Sequence, residues 1–159
     1  MTDSLITYDR FLGGAVTVVQ PARGYRAGMD AVLLAASLSA KHGESLAEAG
    51  SGAGAALLCA THRLPTCHFT GFERDAAAIT LAGQGIATNA FAARADIRTH
   101  DIAERPSALE NVYDQSFSNP PFFDPAAIRA PAPGKTNAFL ADTPLKAWIL
   151  FLHHITKPG

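Results

Sequence analysis

The sequence predicts an α/β fold, a doubly wound parallel sheet with helices on both faces. Short β-branched or apolar stretches alternate with longer helical patterns, which is typical of successive βαβ units. A glycine-rich segment at 48–54 (EAGSGAG) stands between a strand and a helix, where parallel sheets turn tightly and bind ligands. A second turn, NPPF at 119–122, directly follows a later strand. The two turns are therefore expected at the same edge of one sheet.

The secondary-structure elements follow in a regular order. Residues 15–20 (AVTVVQ) alternate, are rich in β-branched side chains and predict a short strand. A Pro/Gly loop then leads into a helix from about 29 or 30 to 41, with Gly43 as a cap after it. Further strands are predicted at about 46–49, 67–73, 93–102 and 111–118, and helices at 53–62, 74–91 and 143–157, the last with Thr143 as its N-cap.

Composition excludes several classes of protein. The chain has 159 residues, the length of one domain, and its net charge of −1 does not by itself indicate a polyanionic partner. Two cysteines give no disulfide framework, and the Cys/His cluster at 59–68 matches no common zinc finger, so no metal is expected. No signal peptide is visible, and the most apolar late run, LKAWILFLHHI, is too short to cross a bilayer. We expect a soluble, cytoplasmic domain without a membrane partner.

The glycine turn predicts a nucleotide-type cofactor. Gly50 and Gly52 allow a sharp turn and close approach of a ligand, and Glu73 ends the next strand about 20 residues on, where a carboxylate can accept both ribose hydroxyls. The glycines, with Ala55, fit the dinucleotide fingerprint G-x-G-x-x-A. They fit equally well the E/D-x-G-x-G-x-G turn that holds S-adenosylmethionine. Glu48 favours the second cofactor, because an acid two residues before the first glycine can bind its amino group.

The NPPF turn predicts a receptor for a planar NH2 group. It lies at the carboxyl end of a strand, which is the ligand edge of an open α/β sheet. Two prolines fix the backbone, so the Asn119 amide and the Pro120 carbonyl are held in place before a substrate binds. Both oxygens accept hydrogen bonds, and Phe122 or Phe123 can stack on the ring that carries the amine. An exocyclic amine on a flat ring, or a side-chain amide, fits this receptor.

On these segments the sequence resembles class I methyltransferases with an (N/D)PP(Y/F/W) motif, which share a Rossmann-like fold. The order of its parts is similar to that of the bacterial tRNA adenine N(6)-methyltransferases acting on valine tRNA. The matching segments are DRFLGGAVTVVQPARGYRAGMDAVLLAA, EAGSGAG, GFERD, HDI and NPPFF. Two features depart from the pattern: the strand SLAEAG is less apolar than usual, and the last three strands expected of the fold are absent.

The resemblance implies S-adenosylmethionine as the cofactor and assigns roles to particular residues. Asn119, Pro120 and Phe122 would form the catalytic turn. The residues expected to hold the cofactor are Glu48, Gly50 and Gly52 at its methionine part, Glu73 at its ribose, Asp101 with Ile102 at its adenine, and Arg26, Gly28 and Asp30 over its amino-acid end.

The function predicted from these features is methyl transfer to the exocyclic amine of an adenine in RNA, with tRNA as the nucleic-acid partner. The target base has to leave its stack to reach such a pocket. Three alternatives stay open. They are methylation of a protein glutamine amide or an rRNA guanine, an NAD-dependent oxidoreductase (although no Tyr-x-x-x-Lys pair is visible), and a non-catalytic cofactor-binding fragment.

The end of the chain leads to an expectation about assembly. Pro158 and Gly159 stop the last helix and would normally lead into another strand. We therefore interpret residues 1–159 as a single domain that is C-terminally truncated. If the order of the resembled family holds, its four sheet strands lie 3-2-1-4 and the fourth is an exposed edge. Such an edge favours a homodimer, or poor order around residues 124–140.

Overall fold

The computed structural model describes residues 5–120 and 143–159. The chain begins with an antiparallel hairpin of β1 (Ile6–Phe11) and β2 (Val16–Pro21). A parallel sheet follows, made of β3 (Ser45–Ala49), β4 (His68–Glu73), β5 (Ala95–Thr99) and β6 (Gln115–Ser118). Its spatial order is β5-β4-β3-β6. Numbered from β3, this is the order 3-2-1-4, so the predicted topology is confirmed.

Helices cover both faces of the sheet, as predicted. They are α1 (Met29–Ser37), α2 (Ala55–Arg63), α3 (Ala76–Thr88) and α4 (Leu145–Ile155). Successive side chains of β3 point to opposite faces. Leu46 joins the cluster formed with α1, α2, α3 and the hairpin, whereas Ala47 and Ala49 join the cluster formed with α4. None of the helices described has the length and apolar character needed to cross a membrane.

Small residues let the layers approach closely. A Cβ added at Gly71 in β4 would come within 2.5 Å of Ile97 Cδ1 and 2.8 Å of Ser51 Oγ. A Cβ at Gly85 in α3 would come within 2.7 Å of Leu58 Cδ1 on α2. The close packing of β4 beneath the glycine turn, and of α3 on α2, therefore depends on glycine at these positions.

Several boundaries differ from the sequence prediction. Strand β1 is not predicted, because its sequence ITYDRF mixes polar and apolar residues and Tyr8 is exposed. Helix α1 ends at Ser37 rather than 41, where Leu38 turns to an extended conformation and Arg63 donates to the Leu38 carbonyl at 2.6 Å. The predicted cap Thr143 is wrong by one position, since Pro144 is the N-cap of α4.

The segment after α4 lies beside the start of β6. Tyr113 forms a parallel bridge with Thr156, its backbone N–H donates to the Ile155 carbonyl, and its own carbonyl accepts from the backbone of Lys157. The Ser116 hydroxyl also hydrogen-bonds with the Thr156 hydroxyl at 2.5 Å. The outer side of β6 is therefore partly paired within the chain, although residues 124–140, for which poor order was predicted, lie outside the described part.

Candidate active site

The glycine turn connects β3 to α2 at the carboxyl edge of the sheet. Gly50, Gly52 and Gly54 have φ angles of 64°, 54° and 79°, a left-handed conformation that favours glycine. The turn is closed by hydrogen bonds from Ser51 N to Phe72 O at 3.1 Å and from Gly54 N to Ser51 O at 2.8 Å. A Cβ at Gly52 would find no described atom within 4 Å. The backbone at Gly52 therefore borders open space and can be approached by a ligand.

Glu73, at the end of β4, is bound to the same turn. Its Oε2 accepts from the backbone of Gly52 at 2.8 Å, and its Oε1 accepts from Arg74 and Asp75 at 2.8 and 2.9 Å. A carboxylate oxygen accepts about two hydrogen bonds. Oε1 is thus saturated and Oε2 has room for one more donor. In this geometry Glu73 can accept one ribose hydroxyl without releasing a backbone amide, rather than the two expected from sequence.

Glu48 lies buried in β3, directly before the turn. Only 3% of the residue is exposed, and its Oε2 has no hydrogen-bond partner among the described residues. Burial raises the pKa of Glu48 well above its usual range, and the charge of Glu73 adds to this, while a hydrogen bond from the Leu57 backbone opposes it. A buried carboxyl oxygen without a partner is costly. A ligand that brings an ammonium group would supply the missing donor.

The Asn-Pro turn lies next to the glycine turn because β6 pairs with β3. Ser118 is opposite Ala49 in the parallel register, and its hydroxyl donates to the Ala49 carbonyl at 2.9 Å. Asn119 and Pro120 continue from there, so both turns leave adjacent strands at the same level. Phe122 lies outside the described residues, and its stacking role stays a prediction.

One of the residues predicted to close over the cofactor, Asp30, contacts Asn119 and also binds the backbone of a second, Gly28. Asn119 Nδ2 donates to Asp30 Oδ2 at 2.6 Å, and Asp30 Oδ1 accepts from the backbone of Gly28 at 3.0 Å. The predicted site residues at the start of α1 and at the end of β6 are therefore brought together.

Arg26 is engaged on the hairpin instead. Its Nη2 is 2.5 Å from Asp9 Oδ2, and its Nη1 donates to Thr7 Oγ1 at 3.1 Å. Gln20 completes this network, donating to Asp9 at 2.8 Å and accepting from the backbone of Ala27 at 2.7 Å. The network ties the loop before α1 to the hairpin. For Arg26 to contact the cofactor, as predicted, it would have to leave Asp9.

The loop after β5 approaches Glu73 from the other side. The backbone of His100 donates to the Glu73 carbonyl at 2.9 Å, and Asp101 forms a 3.6 Å ion pair with Arg74. Ile102 is 6% exposed and packs in the apolar cluster beneath. Asp101 is therefore near the predicted ribose-binding acid, while Ile102 contributes to the core, and the contact of both with adenine stays a prediction.

Sequence reasoning missed two aromatic residues at the site. The indole of Trp148 on α4 lies directly against Gly50, where a Cβ would collide with it. Tyr25 hydrogen-bonds to Asp30, and its pKa is raised by burial and then by the negative charges of Asp30 and Glu48. No local pattern in the sequence assigns Trp148 or Tyr25 to the site.

The cysteines pack in the interior. Cys59 and Cys67 are buried and free, and burial raises the pKa of the Cys59 thiol to about 11. Within the described ranges, no group of three or more His, Cys, Asp or Glu side chains is arranged to hold a metal ion.

A parallel sheet of this order, with a glycine turn after its first strand and an acid at the end of the next, defines the Rossmann-like class that binds nucleotide cofactors at the carboxyl edge. A family model, the methyltransferase small domain, matches residues 26–136. The chain belongs to this family. S-adenosylmethionine is accordingly its cofactor, as predicted. The open space at Gly52, the unpartnered oxygen of Glu48 and the remaining acceptor position of Glu73 fit that molecule.

Curated relatives match part of the chain. It is 33% identical over 102 residues to the tRNA1(Val) (adenine(37)-N6)-methyltransferase of Yersinia pestis (strain Pestoides F), covering 64% of this chain and 41% of that protein. A protein of the same name from Yersinia pseudotuberculosis serotype O:3 (strain YPIII) matches with the same identity, and 40% of it is covered. The chain thus matches about two fifths of the length of these relatives.

Solved structures share the fold. TYW2 of P. horikoshii in complex with MeSAdo has a TM-score of 0.67 at 16% identity, covering 98% of this chain and 50% of that one. Geranyl diphosphate methyltransferase in complex with GPP and sinefungin has a TM-score of 0.62 at 16% identity, covering 82% and 42%. At these identities the likeness extends to the fold alone.

Proposed function

We propose that this protein transfers a methyl group from S-adenosylmethionine to the exocyclic amine of an adenine in tRNA. The observation that carries the proposal is the position of Asn119 and Pro120, which leave β6 beside the glycine turn that follows β3. An amine held by the one turn is then next to a cofactor held by the other. The names of the curated relatives, which act on an adenine of tRNA1(Val), favour the same substrate.

The residues of the site position the amine. The Asn119 side-chain oxygen and the Pro120 carbonyl are two acceptors for the two hydrogens of a planar NH2 group, which leaves the nitrogen lone pair free. When bound, S-adenosylmethionine supplies a methyl group already activated on a sulfonium. Proximity and orientation therefore account for most of the rate, and no strong base has to remove a proton beforehand.

Two acids with different surroundings bind the cofactor in this proposal. Glu48 offers a buried carboxyl group to the amino group of the cofactor, and Glu73 offers one acceptor position to its ribose. Because the two acids lie on adjacent strands, they fix the cofactor at two separated points.

The substrate end has to admit a single base. A base inside a duplex or a stacked loop cannot reach Asn119 unless it leaves its stack. Stacking on Phe122 would offset part of the cost of unstacking, by about 1–3 kcal/mol.

Other substrates carry the same NH2 chemistry, and each gives a distinct result in one experiment. Transfer RNA, ribosomal RNA and release factors are incubated with the protein and methyl-labelled S-adenosylmethionine. The proposal expects label in tRNA that is recovered as N6-methyladenosine after nuclease digestion. Label recovered in a protein glutamine or in guanine would contradict the proposed substrate and support methylation of a protein amide or of rRNA instead. Binding of S-adenosylhomocysteine without transfer to any substrate would indicate a cofactor-binding module.

A further inference from the structure

We propose that Asp30 is a positioning residue that holds the Asn119 amide with its nitrogen toward α1 and its oxygen free for the substrate, and that position 119 must therefore carry an amide rather than a carboxylate. The orientation is a property of the fold. Its effect on catalysis rests on the proposed function.

The contact is short and has a definite polarity. Asn119 Nδ2 lies 2.6 Å from Asp30 Oδ2. Asp30 also accepts from the Gly28 backbone at 3.0 Å and hydrogen-bonds with Tyr25. It stands in the first turn of α1, where the helix dipole stabilises a negative charge. Three donors and the helix terminus thus favour the ionised form of Asp30.

The ionisation of Asp30 determines which way the amide turns. Burial by itself would raise the pKa of Asp30, but hydrogen bonds from Asn119 and the Gly28 backbone outweigh it, and the pKa is lowered. An ionised carboxylate only accepts hydrogen bonds, so the Asn119 group facing it has to be the NH2. The Asn119 oxygen then points away from Asp30, which leaves it available to a substrate amine.

The same contact excludes a carboxylate at position 119. Aspartate there would bring two carboxylates together at an exposed contact, and even with screening by solvent their repulsion disfavours the state in which both are ionised. An aspartate at 119 is therefore compatible with the site only if residue 30 is neutral or if the two carboxyl groups share a proton.

Exchanging the two side chains tests this polarity. Four proteins are compared over a range of pH: the unmodified chain, Asp30→Asn, Asn119→Asp, and the double variant. Asn119→Asp should lower kcat by about 100-fold at alkaline pH, the scale for losing one preorganised contact, with part of the loss recovered as the pH falls and the pair takes up a proton. In the double variant the new amide at position 30 donates to the new carboxylate at position 119. This variant should regain at least about tenfold in kcat over Asn119→Asp and lose that pH dependence.

Two controls separate positioning from a general loss of structure. Asp96→Asn removes a carboxylate from β5, where it contacts Thr70 and Arg98, and should retain full transfer. Calorimetric binding of S-adenosylhomocysteine by Asn119→Asp should stay close to that of the unmodified chain, because Asn119 belongs to the proposed amine receptor and Asp30 is unchanged in this variant. If the unmodified chain transfers methyl groups and the double variant gains nothing over Asn119→Asp, the inference is overturned.

Thermal unfolding decides the inference even if the proposed function fails. If the unmodified chain methylates none of the substrates, the function is wrong, but the contact between residues 30 and 119 still affects stability. We expect the Tm of the double variant to be about 2–4 °C higher than the value obtained by adding the Tm shifts of the two single variants. Additive changes in Tm would show that the two side chains are not coupled, and would overturn the inference independently of activity.

Discussion

At the level of single residues, three carboxyl groups of the candidate site differ in what surrounds them. Asp30 receives an amide donor and stands at a helix N-terminus, Glu73 is nearly saturated by backbone N–H groups, and Glu48 is buried with one oxygen unpartnered. Asp30 and Glu73 therefore have their charges compensated by the protein itself. Glu48 is the group that gains most from a cationic ligand.

The first prediction concerns Asn119. Asn119→Ala removes an acceptor from the proposed amine receptor but leaves Glu48, Glu73 and the glycine turn unchanged. Methyl transfer should fall by about 100-fold or more, while the affinity for the cofactor changes little. Single-turnover assays and calorimetric titration measure the two effects separately, with Thr80→Ala on the exposed side of α3 as the control. If Asn119→Ala transferred methyl groups at the rate of the unmodified chain, Asn119 would have only a structural role.

The second prediction concerns the pH dependence of cofactor binding. Because the folded pKa of Glu48 is raised above the ordinary value of 4.5, the free protein loses stability as the pH rises from that value through the folded pKa. A bound ammonium group favours the carboxylate, so binding below the folded pKa releases a proton and becomes tighter as the pH rises.

The measurement is calorimetric titration of S-adenosylhomocysteine in buffers of different ionisation enthalpy. The unmodified chain should release protons on binding, and Glu48→Gln should bind more weakly without this release. Binding of equal strength and without proton release in both proteins would show that Glu48 does not meet the amino group.

At the level of helices and strands, the site depends on close packing around the glycine turn. Strand β4 passes beneath it with Gly71, and α4 places Trp148 against Gly50 from the other face of the sheet. Phe151 and Ile155 of α4 are fully buried against the same face and hold the helix in place. The turn is therefore supported from two sides by elements that are distant in sequence.

The third prediction compares two glycines. Gly71→Ala would force its new methyl group against Ile97 and Ser51 and should destabilise the fold by about 1–3 kcal/mol, the usual cost of overpacking. Gly83→Ala lies on α3 with no described atom within 4 Å of the new Cβ, so it should stabilise the fold by up to about 1 kcal/mol through helix propensity. Urea unfolding of both variants checks the pair. Equal effects would contradict the packing described for β4.

Across the molecule as a whole, three segments distant in sequence are connected at Asp114. One oxygen of Asp114 accepts from Ser45 N and Ser45 Oγ, both at 2.8 Å, and the other accepts from Lys157 Nζ at 2.6 Å. The start of β3, the start of β6 and the segment after α4 meet in this contact. It lies at the edge of the sheet opposite to the candidate site, so it bears on stability and not on chemistry.

The fourth prediction is a loss of stability in acid. Hydrogen bonds from Lys157 and then from Ser45 hold the pKa of Asp114 well below its ordinary value of 3.8. A depressed folded pKa stabilises the protein at pH values above the unfolded pKa, and this contribution is lost as the pH falls from 3.8 through the lower folded pKa. Asp114→Asn should therefore be less stable than the unmodified chain at neutral pH, and the difference in unfolding midpoint should shrink in acid. A difference that is constant with pH would exclude an electrostatic role.

The fifth prediction concerns self-association. Pairing by Thr156 and Lys157 covers the outer side of Tyr113, and the predicted homodimer would use the remaining outer side of β6. The weight-average mass in sedimentation equilibrium should then rise with protein concentration. A constant monomer mass over the concentration range would contradict the homodimer.

Local sequence patterns were sufficient to predict most of the elements, the glycine turn and the position of Asn119 and Pro120 after β6. These predictions rest on restrictions that act over a few consecutive residues. The features used were the alternation of side chains, the glycines after β3, the distance from them to Glu73 and the prolines after β6. Parallel pairing of such strands brings their carboxyl ends together, so the common position of both turns also followed. The strand β1 was missed because its pattern is weak without β2 beside it.

Which side chains meet is a property of the tertiary structure and could not be predicted from these patterns. Asp30 and Asn119 are 89 positions apart, and no local pattern links them. Arg26 turns to Asp9 and Trp148 packs on Gly50 because the hairpin and α4 come to lie where the whole fold places them. Backbone preferences act over a few residues, whereas the partner of a polar or aromatic side chain is set by which elements the shared core brings into contact.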